Sequence, residues 1–174
     1  MNLVLIGLRG SGKTAVGEVL ARKLGRPLVD TDRLVVERAG CSIREIFERQ
    51  GQAAFRDLEA AVVAEVGAAD GQVISVGGGA VLRAENVAAL KRHGRLIWLT
   101  ASPERLWERI SGDASTAANR PNLTQTGGLE EIRQVAAARD AAYRASADLI
   151  VDTEGLTPEG VADEILRLIG TEIS

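Results

Sequence analysis

The stretch Leu3-Val-Leu-Ile-Gly-Leu-Arg-Gly-Ser-Gly-Lys-Thr14 decides the fold of this chain. A short apolar run leads directly into the pattern G-x-x-x-x-G-K-T, from Gly7 to Thr14, and a helical pattern follows. That order of strand, glycine-rich loop and helix is typical of the phosphate-binding loop of nucleoside-triphosphate enzymes. The glycines let backbone N–H groups turn toward an anion, and the N-terminus of the helix faces the same phosphates. The sequence therefore predicts a nucleotide-binding enzyme. The alternative, a Gly-rich turn that matches the pattern by chance, is not favoured.

The same loop contains the residues expected to bind ATP and its metal ion. The ammonium group of Lys13 is suited to the β- and γ-phosphates, and the hydroxyl of Thr14 is suited to Mg²⁺. ATP is therefore the predicted co-substrate and Mg²⁺ the predicted cofactor. The nucleotide-binding residues predicted from the loop are Arg9, Gly10, Ser11, Gly12, Lys13, Thr14 and Ala15.

Composition limits the classes of protein that this chain can represent. With 174 residues, 45% of them apolar and 26% charged, the sequence predicts one domain over residues 1–174. A net charge of −3 and an aromatic content of 3% argue against binding to nucleic acid or to a membrane. Cys41 and His93 are each the only residue of their type, which excludes an intrachain disulfide and a His-rich metal site. We therefore expect a cytoplasmic protein with small-molecule partners, and nothing in the sequence requires more than a monomer.

Short apolar runs alternate with helical patterns along the chain. The runs show little polar alternation, as expected for parallel strands that are covered on both faces. Strands that alternate with helices indicate an α/β fold with a parallel sheet. The predicted strands are Leu3–Ile6, Pro27–Val29, Val73–Val76, Leu96–Leu99 and Leu149–Val151.

Start and stop signals mark several helices between these strands. The pattern over Thr14–Leu24 ends at Gly25, a residue type that commonly terminates helices. A capping-box signature, Ser42-Ile-Arg-Glu45, opens a short helix that we expect to stop near Gly51, before a second pattern over Gln52–Val66. A hydroxyl residue followed by proline indicates two further helix starts, at Ser102-Pro103 and Thr157-Pro158.

One polar stretch, from Ser111 to Gly128, interrupts this pattern. It is rich in Ser, Thr, Ala, Asn and Gly, and it contains Arg120-Pro121. A floppy surface loop is one interpretation. In a kinase, a long polar loop between two helices is more often a mobile lid that closes over ATP and excludes water. We therefore predict a lid over approximately residues 111–128.

Two carboxylates follow the second predicted strand. Asp30 and Asp32 are expected at the edge of the sheet to which the first strand also delivers the phosphate-binding loop. Asp30 is suited to orient Mg²⁺ through water, and with Thr14 it forms the predicted metal site. Asp32 could accept a hydrogen bond from a substrate hydroxyl and help its proton leave. The alternative is that Asp32 only caps the N-terminus of the next helix.

Three consecutive glycines, Gly77 to Gly79, follow the third predicted strand. Three glycines lower the stability of the folded state because each loses much backbone entropy on folding. A ligand that lies against bare backbone would explain them, whereas a tight turn needs only one or two glycines. Two arginines, Arg56 and Arg139, lie in helical patterns before and after this segment. On composition alone, either could equally be a solvated surface residue in so Arg-rich a chain.

Together these motifs resemble the shikimate kinase family over essentially the whole chain. The resemblance rests on G-L-R-G-S-G-K-T at 7–14, D-T-D at 30–32, F-R-D-L-E at 55–59, V-I-S-V-G-G-G at 73–79, R-P at 120–121 and R-D-A-A-Y-R at 139–144. It implies the P-loop fold of nucleoside monophosphate kinases, with a five-stranded parallel sheet flanked by helices and a mobile lid. It also implies transfer of the γ-phosphoryl group of ATP to the 3-hydroxyl of shikimate, in the route to chorismate and the aromatic amino acids.

The resemblance also implies roles for individual residues. The arginine pair would bind the shikimate carboxylate, a geometry that suits the guanidinium fork, and the glycine backbone would contact the ring. The lid would bring Arg120 to the nucleotide, where it would neutralise charge on the transferring phosphoryl group. The implied catalytic residues are Lys13, Asp32 and Arg120, and the implied shikimate-binding residues are Asp32, Arg56, Gly78, Gly79 and Arg139.

The lid departs from the family pattern. Many members read R-P-L-L, whereas Arg120-Pro121 is followed here by Asn122-Leu123, and the usual basic residues before R-P are replaced by Ala117-Ala118-Asn119. The adenine contacts are therefore not assigned, with Arg109 as a candidate. The residues leave two other functions open: a gluconate-kinase-like small-molecule kinase, and a shikimate-kinase-like binding module that has lost catalysis.

Overall fold

A five-stranded parallel sheet forms the centre of the protein. The computed structural model describes residues 1–112 and 127–172, with side chains described up to residue 170. Its strands are β1 Asn2–Ile6, β2 Leu28–Asp30, β3 Val73–Ser75, β4 Gly94–Thr100 and β5 Leu149–Asp152. All neighbours pair in parallel, in the order β2-β3-β1-β4-β5. The predicted α/β class and the five predicted strands are confirmed.

Helices flank the sheet on both faces. They are α1 Lys13–Leu24, α2 Thr31–Ala39, α3 Ile43–Ala68, α4 Ala84–Lys91, α5 Pro103–Ser111, α6 Gly128–Ser146 and α7 Pro158–Glu172, with a single 3₁₀ turn at Ala80–Leu82. Side chains of α1 and α7 form one core with the sheet, and side chains of α3 and α4 form the other.

The central strand β1 explains why the apolar runs lack polar alternation. Val4 and Ile6 pack into the core with α3 and α4, whereas Leu3 and Leu5 pack into the opposite core with α1 and α7. All of these side chains are buried. Because both faces of the strand meet apolar layers, the four positions from Leu3 to Ile6 all need apolar residues.

The predicted helix boundaries hold, with one refinement at Gly51. Gly25 ends α1 in the left-handed region, with φ 62° and ψ 36°. The capping box of Ser42 and Glu45 opens α3, with hydrogen bonds of 3.1 and 2.8 Å. The two predicted helical segments meet at Gly51 with no loop between them, because its φ of 84° and ψ of 172° interrupt the helical backbone for that one residue and α3 continues to Ala68.

The topology brings three functional segments to one edge of the sheet. The phosphate-binding loop follows β1, the two carboxylates follow β2, and the three glycines follow β3. Because these three strands are adjacent and parallel, their carboxyl ends open on the same side of the molecule. This is the edge at which α/β proteins bind ligands.

Most of the predicted lid, including Arg120, lies outside the described residues. The lid and the role of Arg120 therefore stay predictions. Within residues 1–112 and 127–172, every helix is too short or too polar to cross a membrane.

Candidate active site

The phosphate-binding loop connects β1 to α1. Gly7 has a φ of 147°, and a Cβ atom there would lie 2.6 Å from the carbonyl oxygen of Leu99, so only glycine fits. Lys13 is the first residue of α1, and its Nζ donates hydrogen bonds to the carbonyl oxygens of Gly7 (2.8 Å) and Leu8 (3.0 Å). The ammonium group is thereby held against the loop, close to the helix N-terminus that attracts phosphates.

A cavity of about 600 Å³ opens beside this loop. Among the residues predicted to bind the nucleotide, those on its wall are Arg9, Gly10, Gly12, Lys13, Thr14 and Ala15. Ser11 is buried, and its backbone N–H donates to the carbonyl oxygen of Leu8 (3.1 Å). The cavity has the size of a small-molecule site and lies where a triphosphate would reach the loop.

Thr14 and Asp30 lie together on this cavity. The hydroxyl of Thr14 donates to Asp30 Oδ2 (3.1 Å), while Asp30 Oδ1 accepts from the backbone N–H groups of Asp32 (3.0 Å) and Arg33 (3.2 Å). Asp30, not Asp32, is therefore the N-cap of α2, and the alternative that Asp32 caps this helix is wrong. The first residue of α2 is Thr31, so Asp32 falls inside the helix and cannot serve as its cap.

The chemistry of this pair fits Mg²⁺. A hydroxyl and a carboxylate are oxygen donors of the kind that Mg²⁺ takes from proteins, with phosphates and water completing the shell. The described residues contain no cluster of three or more acidic, His or Cys side chains suited to a metal. A metal here would therefore depend on the nucleotide for part of its coordination.

A smaller cavity adjoins the first. Arg9, Asp32 and Ile43 line both cavities, and they therefore stand at the passage between them. The remaining walls of the second cavity are Phe47, Phe55, Arg56, Glu59, Gly77, Gly78, Gly79 and Arg139. The structure thus brings every predicted acceptor-binding residue to one cavity, next to the phosphate-binding loop.

Each of the three consecutive glycines faces a charged side chain of this cavity. A Cβ atom on Gly77 would lie 2.6 Å from Asp32 Oδ1 and 2.7 Å from Glu59 Oε1. One on Gly78 would lie 3.3 Å from Arg139 Nη1, and one on Gly79 would collide with the guanidinium group of Arg56. Side chains of the site therefore lie against this backbone, and a side chain at Gly77 or Gly79 would displace them.

Arg56 is held in place by the helix that carries it. It is only 13% exposed, and its Nη1 lies 2.7 Å from Glu59 Oε2, one turn further along α3. Its guanidinium carbon also lies 5.1 Å from the centre of the Phe55 ring. Arg139, on α6, is half-buried and lines the same cavity. The alternative that these two arginines are solvated surface residues is wrong.

Glu59 is a site residue that the sequence analysis missed. It is 1% exposed, and within the described part of the chain its Oε1 has no hydrogen-bond partner. Burial raises the pKa of the Glu59 carboxyl, Arg56 opposes the rise, and the charge of Asp32 adds to it. The available signal was its spacing from Arg56 in F-R-D-L-E, since residues three apart on a helix are neighbours.

Arg109, the candidate adenine contact, also lies on the wall of the larger cavity. Its Nη1 donates to Thr153 Oγ1 (3.0 Å) and to the carbonyl oxygen of Gly10 (3.3 Å), and its Nη2 donates to the carbonyl oxygen of Thr153 (3.0 Å). These bonds tie α5 to the phosphate-binding loop and to the segment after β5. The guanidinium plane is therefore fixed at the wall before any nucleotide binds.

A phosphate-binding loop beside an arginine-lined second cavity defines a P-loop kinase that acts on a small molecule. Comparison with known proteins identifies the family. The family profile described as shikimate kinase matches residues 9–170. The chain belongs to the shikimate kinase family.

Named relatives span nearly the whole chain. A shikimate kinase from Symbiobacterium thermophilum is 49% identical over 167 residues, which cover 96% of this chain and 95% of that protein. One from Geobacter sulfurreducens is 43% identical over 168 residues, covering 97% of this chain and 90% of that protein.

Comparison with solved structures supports the same family assignment. A shikimate kinase from Acinetobacter baumannii in complex with shikimate superposes with a TM-score of 0.91 at 33% identity, covering 98% of this chain and 93% of that chain. The enzyme from Aquifex aeolicus gives 0.83 at 35% identity, with 99% and 98% covered. A gluconokinase from Sinorhizobium meliloti gives 0.58 at 16% identity, with 99% and 95% covered, and shares the fold alone. The gluconate-kinase-like alternative is therefore not favoured.

Glu59→Gln is expected to change how stability depends on pH. Because the folded state raises the pKa of Glu59 above its ordinary 4.5, the folded protein binds this proton more tightly than the unfolded chain. The contribution of Glu59 to the free energy of unfolding is therefore complete below the unfolded-state pKa, and it is lost as pH rises through the folded-state pKa. From about pH 4.5 upward, stability should fall more steeply in the parent than in Glu59→Gln.

Denaturant titrations at a series of pH values measure this difference. Glu65→Gln, which removes an exposed carboxylate and its ion pair with Arg38 from the same helix, is the control for the loss of a surface charge on α3. If the parent and Glu59→Gln showed the same slope, burial would not be holding back ionisation of Glu59.

Proposed function

We propose that this chain is an active shikimate kinase, which transfers the γ-phosphoryl group of ATP to the 3-hydroxyl of shikimate and releases ADP and 3-phosphoshikimate. One observation carries the proposal: the cavity at the phosphate-binding loop and the arginine-lined cavity share Asp32 and Arg9 at their junction. A donor and an acceptor bound on the two sides would therefore meet at that junction. Membership of the family supports the same substrates.

Phosphoryl transfer requires mainly positioning and neutralisation of charge. On the donor side, Lys13 would exchange its two carbonyl partners for the β- and γ-phosphates, which also face the N-terminus of α1. On the acceptor side, Arg56 and Arg139, which line one cavity, would bind the carboxylate of shikimate. Asp32, at the junction, would accept a hydrogen bond from the reacting hydroxyl and draw its proton away.

Thr14 and Asp30 would hold the Mg²⁺ that accompanies ATP. The ion supplies charge neutralisation at the phosphates when it is bound. Asp30 is well suited to this role because its second oxygen is already fixed by the backbone at the start of α2. The remaining parts of the proposal are a monomeric, cytoplasmic protein formed by one domain over residues 1–174, without nucleic-acid partners, and a product that feeds the route to chorismate.

A coupled ADP-release assay across shikimate, quinate, gluconate and nucleoside monophosphates tests the function. Shikimate should be the preferred acceptor by a wide margin. Faster turnover of gluconate would identify a gluconate-kinase-like enzyme. Binding of shikimate in a calorimeter without turnover of any acceptor would identify a module that has lost catalysis.

Asp30→Asn is expected to separate metal binding from folding. Asparagine caps helices about as well as aspartate, so α2 should keep its start and the protein its stability. Loss of the negative charge should raise the Mg²⁺ concentration needed for half-maximal activity about tenfold, the effect of one charged contact. Activity of the parent should vanish in EDTA. If the Mg²⁺ concentration needed for half-maximal activity were unchanged in Asp30→Asn, Asp30 would not be part of the metal site.

A further inference from the structure

The hydroxyl of Tyr143 connects two walls of the acceptor cavity. Tyr143 lies on α6 one helical turn after Arg139, so the two side chains share a face of the helix. It is 1% exposed, and its hydroxyl donates a hydrogen bond of 2.5 Å to the carbonyl oxygen of Gly78. A single buried hydroxyl therefore links the helix that carries Arg139 to the three-glycine segment.

The ring of Tyr143 is fixed from its other side. It stacks on Trp98 of β4, with ring centroids 5.3 Å apart and planes inclined by 18°. The guanidinium carbon of Arg144 lies 5.5 Å from the centre of the Trp98 ring. Burial raises the pKa of Tyr143 to about 12, against the charge of Arg139 and its hydrogen bond to the phenol oxygen, so the phenol keeps its proton and remains a donor near neutral pH.

The hydrogen bond acts on the peptide between Gly78 and Gly79, whose two neighbouring peptides are joined by the bond from Ala80 N–H to the carbonyl oxygen of Gly77 (3.0 Å). The carbonyl of Gly78 and the N–H of Gly79 belong to one planar peptide, and in a trans peptide they point in opposite directions. Fixing the carbonyl toward α6 therefore fixes the N–H away from it. Glycine has the largest backbone freedom of any residue, so a hydrogen bond to the peptide inside the three-glycine segment restricts the orientation of that peptide.

We propose that Tyr143 is a positioning residue for the acceptor. Its hydroxyl fixes the orientation of the Gly78–Gly79 peptide and keeps that segment in register with Arg139, whose Nη1 approaches Gly78. Tyr143 itself does not touch the reacting atoms. The inference rests on the proposed function for the identity of the acceptor, but not for the anchoring of the glycines.

The test is Tyr143→Phe, which keeps the stacked ring and removes only the hydroxyl. The KM for shikimate should rise about tenfold, the loss expected for one buried hydrogen bond, while the KM for ATP stays the same. Amide hydrogens of residues 77–80 should exchange faster by a similar factor. Ser146→Ala is the matched control, because it removes another buried hydroxyl from α6, one that donates to the carbonyl oxygen of Ala142 (2.7 Å) away from the cavity. It should leave both readouts unchanged.

The outcomes separate this inference from the proposed function. If amide hydrogen exchange at residues 77–80 were unchanged in Tyr143→Phe, the positioning role would be overturned. An equal rise of the KM values for shikimate and ATP, together with a lower Tm, would also overturn it, because that is the pattern of a merely structural residue. If amide hydrogen exchange at residues 77–80 rises in Tyr143→Phe but the parent does not phosphorylate shikimate, the anchoring role of Tyr143 is supported and the proposed function is wrong.

Discussion

Lys13→Ala is expected to lower kcat about a hundredfold or more and to leave the fold intact. The ammonium group is held at the loop before the nucleotide arrives, and a preorganised charge at the transferring group contributes about 3 kcal/mol or more. Because charge on the phosphates grows as the bond to the leaving group breaks, the loss should appear in kcat more than in the affinity for ATP. Steady-state kinetics and a thermal unfolding curve measure the two parts of this prediction.

Two further variants test the role of Lys13 more specifically. Lys13→Arg should also fail, since the rigid, larger guanidinium does not fit where a compact ammonium lies between two carbonyl oxygens. Lys23→Ala is the control on the same helix, because Lys23 pairs with Asp163, 2.7 Å away at the surface. If Lys13→Ala turned over as fast as the parent, the phosphate-binding loop would not take part in phosphoryl transfer.

The sheet could be predicted from the sequence because each strand carries its own signal. A strand covered on both faces needs an apolar run, and β1, β3 and β4 read that way, whereas the edge strand β5 has an apolar run although Ile150 is 50% exposed. The order of the strands could not be read from the runs themselves, since pairing depends on contacts between distant segments. The resemblance to a known family implied a five-stranded parallel sheet, and the order of its strands came from the structure.

The helix start after β2 shows where local patterns reach their limit. Asp30 and Asp32 are both good N-cap residues, and a shift of two positions decides which of them caps and which faces the substrate. The structure places the start at Thr31, so that Asp30 combines the cap with the contact to Thr14. That choice depends on where β2 ends in the sheet, which the two carboxylates do not reveal.

Glu59 and Tyr143 were not predicted for a common physical reason. Both lie on helices whose apolar periodicity marks the core, and a polar residue among core positions gives no sign of its partner. The partner of Glu59 lies one turn away, but the partner of Tyr143 lies on a separate segment, at Gly78. Buried polar groups need partners, so the expectation of one was available, whereas its identity required the fold.

The second large effect concerns the acceptor. Replacing Arg139 with methionine should weaken shikimate binding by about 1.5–3 kcal/mol, the range for a hydrogen-bonded charged contact, and leave the affinity for ATP nearly unchanged. Arg56→Met should act in the same direction, with an additional cost because Glu59 loses its partner in a buried position. Arg133→Met, an exposed arginine of α6 that pairs with Glu104, is the control for Arg139→Met. Isothermal titration with shikimate and with ATP measures each affinity.

Shikimate methyl ester distinguishes recognition of the carboxylate from a general effect of removing an arginine. The ester lacks the anion, so it should be a poor substrate of the parent protein. It should also lose little further when Arg56 or Arg139 is replaced, because the charge that these residues would bind is already absent. The acid, in contrast, should lose affinity with each replacement. If the ester and the acid react equally well with the parent, the two arginines of the second cavity do not bind a carboxylate, and shikimate is not the acceptor.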